Sequence, residues 1–188
     1  DAKSNLNYDK TLHQIKHNFY FLNFNYTDTV QSYLNELNLR PSFFAKNEIN
    51  YIHGQLNQSA NPIIFGFGDE HDKHYLEFEE QRNIELFDHI KSYHYLRTPN
   101  YRNLLKFLNY GNYQVFVMGH SCGLSDRTMF KEILEHGNCK SIRLFHYNGD
   151  FHDKAINVSK HFSNKGHMRK LVVDYKSSDA FPQSAIEL

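Results

Sequence analysis

Apolar runs recur along the chain, each followed by a polar or glycine-bearing stretch and then by apolar positions at helical spacing. The first run, residues 19–24, gives way to Asn25-Tyr26-Thr27-Asp28, side chains of the kind that cap helix starts. Val30, Tyr33, Leu34 and Leu37 then follow a helical period, which predicts a helix over 28–39 that Pro41 stops. A second strand is predicted at 49–52, delivering His53-Gly54, and a third at 62–65, ending at Gly66 and Gly68. From 77 to 110 charged and apolar residues mix at helical period around a break near Pro99, so two helices are expected there.

The clearest unit comes next: a strand at 113–118, the loop Gly119-His120-Ser121-Cys122-Gly123-Leu124-Ser125, and a helix over 126–135 with Ser125 or Asp126 as its N-cap. A strand at 140–147, a helix at 152–162 and a last strand at 170–175 complete the reading. Strands alternating with helical segments are the signature of βαβ crossovers. The expected fold is therefore α/β: a Rossmann-like, doubly wound, mostly parallel sheet with helices on both faces. No repeat, low-complexity linker or internal boundary interrupts it, so residues 1–188 read as one domain.

Composition narrows the classes of function. A chain of 188 residues is long enough to bury roughly 70% of its unfolded surface. Its 21 basic and 21 acidic residues balance and form no dense basic stripe, so the footprint of a nucleic-acid binder is missing. No apolar run approaches the ~20 residues of a membrane span, and the N-terminus lacks the layout of a secretion signal; a soluble, cytoplasmic protein is expected. Cys122 and Cys139 form no CxxC motif and read as reduced, buried thiols. Thirteen histidines are present, but the tightest group, His71-Asp72-Lys73-His74, reads as solvated loop rather than as a metal site.

Ligands of open α/β sheets bind outside the carboxyl ends of the strands, where amides and helix N-termini converge. Three polar clusters fall at such ends: residues 25–28, His53-Gly54, and residues 119–126. Phe24-Asn25-Tyr26-Thr27, Tyr51-Ile52-His53-Gly54, Ile63-Ile64-Phe65-Gly66 and Gly119-His120-Ser121-Cys122-Gly123-Leu124-Ser125-Asp126 succeed one another in the order seen in AbiH proteins. Over residues 19–147 the chain thus resembles the AbiH-type bacteriophage abortive-infection family. More distantly it is similar to sirtuin-like NAD-binding domains.

The AbiH resemblance implies phage defence, with a phage component or host protein as a candidate partner; the oligomeric state stays open. The sirtuin-like resemblance implies a small nucleotide ligand, with NAD as candidate substrate or ligand, no resident cofactor, and an NAD(P) glycohydrolase-type cleavage as the candidate activity. By that comparison Asn25 orients a ribose, His53 acts as base, and Thr27, Asp28, Gly54, Gly119, His120, Ser121, Ser125 and Asp126 line the ligand. A neutral imidazole, with a pKa of about 6.5, can take a proton near neutral pH. AbiH proteins also carry a Gly-Asn-Gly-Phe-Asp turn after a first strand; none precedes Asn25, so the chain reads as a fragment missing the first βα unit.

Plain structural roles stand beside these. Asn25 and Asp28 can satisfy turn and helix-start amides, His53 can be a packed residue, and Asp126 can be a helix cap. Two other classes remain. Gly119-His120-Ser121-Cys122-Gly123 matches the G-x-S-x-G nucleophile elbow, with Asp150 or Asp153 and His161 or His167 in the chain order for a triad, although Leu124-Ser125-Asp126 implies a longer loop than an elbow needs. The other is a nonenzymatic sensor or interaction domain, for which the aromatic residues of 77–110 would form a partner surface.

Overall fold

The computed structural model describes residues 17–38, 44–66, 75–80 and 84–181. Gly68, His71 and His74 lie outside the described residues, as does the predicted helix stop at Pro41. The chain divides into two compact units, Asp1–Ile64 and Phe65–Leu188.

In the first unit, β1 (His17–Asn23) and β2 (Phe44–Tyr51) pair in parallel, with α1 (Thr29–Asn38) between them in the chain. This is the predicted strand–turn–helix–strand order. Alternation puts Phe19 and Phe21 on one face of β1, their ring centroids 6.3 Å apart. On α1, Leu34 is buried and Tyr33 exposed. The register runs from Asn18↔Lys46 to Asn23↔Tyr51, and Ile52 N–H donates to Asn23 O at 3.2 Å, adding one rung.

The strand predicted at 62–65 does not form. Pro62 has no N–H to donate, and the segment is held to the strand end through Ile64 N–H to His53 O at 2.8 Å. Ile64 is buried, whereas Phe65 is exposed; the segment packs through one side chain rather than through a sheet face.

The second unit opens with short helical pieces: α2 (Tyr75–Glu80), a 3₁₀ turn (Ile84–Phe87), α3 (Lys91–His94) and another 3₁₀ turn (Tyr95–Arg97). They replace the first of the two helices predicted across 77–110, because Ile90, at φ −82° and ψ 114°, is extended and starts a new turn. The second helix is α4 (Asn100–Tyr110), with Pro99 at its N-cap, and it buries Leu104 and Leu108 one turn apart.

Then β3 (Tyr113–Val117) pairs in parallel with β4 (Cys139–Leu144) around the crossover helix α5 (Arg127–Glu135). α5 turns Met129, Phe130, Ile133 and Leu134 inward, and β4 buries Cys139, Ile142 and Leu144. Phe116 of β3 and Met118 just past its end are 49% and 54% exposed. α6 (Phe151–Lys160) comes next with Val158 buried, close to the helix predicted at 152–162.

The last strand predicted, 170–175, is corrected as well. Asn164 Oδ1 accepts the His167 N–H at 3.0 Å and caps α7 (Lys165–Leu171), which runs into the predicted strand and stops at Val172. Beyond α7 the chain lies along β4 through isolated bridges at Ile142↔Val172 and His146↔Ala180. The architecture is therefore mixed α/β with two separate two-stranded parallel sheets. Lacking strands at 62–65 and 170–175, it does not form one doubly wound sheet among the described residues.

Residues 172–181 are fastened to β4 by several groups. Val173 N–H donates to Ile142 O, His146 N–H to Asp179 O and Phe181 N–H to His146 O, at 2.7–3.0 Å. Arg143 Nε donates to the Asp179 carboxylate at 2.9 Å, and this bond holds the Asp179 pKa below its ordinary value. A depressed folded pKa gives stability that is present above the unfolded value of about 3.9 and lost as pH falls through the lower folded value. Hydrogen-exchange protection at residues 172–181, taken relative to the free-peptide rate, is expected to fall below pH 4, and Asp179→Asn to show the lower protection already at neutral pH.

Both cysteines are free and buried. Burial pushes the Cys122 thiol up to about 12 and Cys139 to about 11. A thiol-disulfide reagent at pH 8 is expected to label neither in the native protein and both in urea, since the thiolate is the reactive form.

Candidate functional site

At the carboxyl ends of β1 and β2, the turn that carries Asn25 is built by Asn23. The Asn23 side chain is buried; its Oδ1 accepts Asn25 N–H at 2.9 Å and its Nδ2 donates to Thr27 O at 3.2 Å. This is an Asx turn, and it leaves Asn25 and Thr27 at the surface. Asp28 accepts from Gln55 Nε2 at 2.5 Å, and its backbone carbonyl accepts Ser32 N–H as α1 begins. The Tyr51 hydroxyl has its pKa raised by partial burial and by the Asp28 carboxylate.

Leu56 N–H donates to Tyr26 O at 2.9 Å, so residues 23–28 and 52–56 run side by side and the fold brings Asn25, Thr27 and Asp28 alongside His53 and Gly54. The His53 ring is 4% exposed and lies edge-on to Phe24 at 5.2 Å. Gly54 has φ +88°, and a Cβ there would sit 2.2 Å from Pro62 O. Glycine is what allows the chain to turn under residues 62–64.

At the carboxyl end of β3, Gly119 takes φ +70° and Cys122 φ +54°, two left-handed residues in one short loop. Ser121 and Ser125 are exposed while Cys122 and Asp126 are buried. The His120 Nδ1 accepts Cys122 N–H at 2.9 Å, which leaves the proton of the neutral ring on Nε2, 3.8 Å from Asp126 Oδ2. Both ring nitrogens thus face groups of the loop itself. The Phe130 ring centroid lies 5.0 Å from that of His120 and 5.0 Å from that of His161. His161 Nε2 bonds to Cys122 O at 2.8 Å, and Asn157 Nδ2 donates to Ser121 O at 3.0 Å.

Asp126 occupies the N-cap position of α5 but makes no side-chain capping bond, and neither does Ser125, whose hydroxyl donates to Asp126 Oδ2 at 3.2 Å. The capping role expected of these two residues gives way to a buried ion pair: Lys91 Nζ lies 2.9 Å from Asp126 Oδ1, the two side chains 11% and 6% exposed. Nothing in the sequence pattern marked Lys91, 35 positions from its partner. Asn23 was missed although its position at a strand end, where a short polar side chain can close a turn, was readable.

The elbow geometry of a serine hydrolase is not assembled. The non-glycine left-handed residue is Cys122, not Ser121, and α5 starts at Arg127 behind a 3₁₀ turn (Leu124–Asp126). His161 is buried against the Cys122 carbonyl, and Asp150 is engaged by Lys154 and by Tyr147 N–H. Among the described residues no helix is long and apolar enough to cross a membrane.

These features define a mixed α/β protein with parallel strand pairs and polar loops at the strand ends. The profile of the bacteriophage abortive infection AbiH family matches residues 2–148. The chain belongs to that family, and this membership supports a role in phage abortive infection. No curated protein and no solved structure matches the chain.

Proposed function

We propose that the chain serves abortive infection by recognising a nucleotide at the loop that closes β3, residues 119–126. The observation that carries this reading is the buried Lys91–Asp126 pair beneath a glycine-bearing loop whose Ser121 and Ser125 are exposed. Taking two charges out of water costs several kcal/mol per ion, which a close pair repays only with good geometry. A pair placed at the end of a parallel strand, where α/β folds bind ligands, is well suited to shaping a ligand loop. A separate catalytic reading concerns the first unit alone, where Asn25 orients a ribose and His53 activates water for cleavage of the N-glycosidic bond of NAD.

The test is calorimetric titration of the chain with NAD, ATP and GTP, together with chromatographic assay of NAD consumption. Ser121→Ala is expected to weaken NAD binding roughly tenfold, the loss of one or two ligand hydrogen bonds at about 1 kcal/mol each, and His53→Ala to abolish consumption. Absence of binding by all three nucleotides sinks the reading. Phage protection that depends on Phe116 rather than on Ser121 would place the chain among interaction domains, since Phe116 of β3 and Met118 just past its end are exposed.

A further inference from the structure

The geometry points to Lys91 as the positioning residue of the β3 loop, holding Asp126, and through it His120 and Ser125, in the arrangement that receives an anionic, phosphate-bearing ligand. The ligand half of this rests on the nucleotide reading; the internal arrangement does not.

Lys91 begins α3, a single turn that is itself held by His94 Nε2 on Asp88 O at 2.6 Å. Its ammonium meets Asp126 Oδ1 at 2.9 Å. The other carboxylate oxygen accepts the Ser125 hydroxyl and faces His120 Nε2, while His120 Nδ1 accepts Cys122 N–H. One buried cation thus anchors the end of the loop through Asp126, whose second carboxylate oxygen faces the His120 ring near the loop's start. Lys154 of α6 and the Asp126 carboxylate both act electrostatically on Cys122, and the His161 ring lies 5.0 Å from that of Phe130.

The charge balance of the loop admits an anion. No side chain from Gly119 to Ser125 is acidic, and the one acid that ends the loop is matched by Lys91. A phosphate approaching Ser121 meets no uncompensated carboxylate from the loop.

Lys91 also decides where the Asp126 charge acts. With the ammonium removed, the carboxylate has His120 as its nearest cationic partner, and an opposite charge within about 4–6 Å favours the protonated imidazole. The experiment tracks the His120 ring by ¹⁵N and ¹H NMR through a pH titration, in the intact chain and in Lys91→Met, Lys91→Arg and Lys91→Met/Asp126→Asn variants, and measures NAD affinity for each by calorimetry.

In the unchanged chain neutral His120 is expected to carry its proton on Nε2. Lys91→Met is expected to move the His120 titration upward by about one pH unit, Lys91→Arg to leave it in place, and the double variant, lacking the stray carboxylate, to show no upward shift. NAD affinity is expected to fall about tenfold or more in Lys91→Met, and to stay low in the double variant even where thermal stability returns. A His120 titration unmoved by Lys91→Met, or a double variant that regains NAD affinity along with stability, overturns the positioning role. If the intact chain binds no NAD, the nucleotide reading fails, and the His120 titration still decides the role of Lys91.

Discussion

Gly54→Ala is expected to destabilise the chain by about 3 kcal/mol or more, from a left-handed residue given a side chain at roughly 1–2 kcal/mol and an overpacked contact at roughly 1–3 kcal/mol. Gly54 turns the chain at φ +88°, directly after His53. A Cβ would stand 2.2 Å from Pro62 O, 2.6 Å from Pro62 C and 2.7 Å from Ile63 Cα, all backbone atoms that no rotamer change can move aside. The collision would part the Ile64 N–H from His53 O and expose the buried Ile64. Urea denaturation checks this, and a change under 1 kcal/mol would show that residues 62–64 yield. Gly119→Ala is the internal control: its φ is +70°, but a Cβ there meets nothing within 4 Å, so only the backbone term of roughly 1–2 kcal/mol is expected.

The second large effect is on Lys91. Removing one partner of a buried ion pair leaves an uncompensated charge and costs about 3–5 kcal/mol, and Lys91→Met leaves Asp126 in that position. The carboxyl of the folded variant then has a pKa raised above its unfolded value of about 3.9. A raised folded pKa contributes stability that is fully present below the unfolded value and lost as pH rises through the folded one. The deficit relative to the unchanged chain is therefore expected to be full at pH 8 and to shrink toward pH 4. Denaturant midpoints at the two pH values test it, and a deficit equal at both would mean that the lysine stabilises through packing rather than charge. Lys91→Met/Asp126→Asn should recover much of the loss, because no unpaired charge remains.

How far the sequence spoke for the fold varies by segment. The β3–loop–α5 unit was legible because every local signal agreed: a β-branched and aromatic strand, a glycine at its end, and apolar residues at helical spacing behind it. The same agreement located β1, α1 and the end of β2, whose first five residues lie ahead of the strand predicted at 49–52. It failed at Pro62-Ile63-Ile64-Phe65, where an apolar run with only one buried residue packs as a loop; periodicity does not separate the two. It failed again at 170–175, where Val172 and Val173 suggested a strand while Asn164, eight positions earlier, was already capping α7.

For the site, the clusters at the strand ends were readable, but the division of labour inside them was not. Asn23 rather than Asn25 builds the first turn. His120, the obvious imidazole of the loop, directs both nitrogens at its own neighbours. Lys91 was invisible because no spacing rule connects a lysine on one short helix to an aspartate beyond the next strand. Local chemistry is written in neighbouring residues; buried pairs are chosen by the packing of distant ones.

The clasp of residues 172–181 on β4 also sets a schedule for the chain as it is made. Asp179 comes 36 positions after Arg143, and at roughly 5–20 residues per second the ribosome delivers it ~2–7 s later. During that interval β4 can already have joined β3, yet its second edge and Arg143 still await their partners. An open strand edge is a template for other chains, so crowding among nascent copies should harm this protein most in that interval, and any delay between the emergence of Arg143 and that of Asp179 should lower its yield.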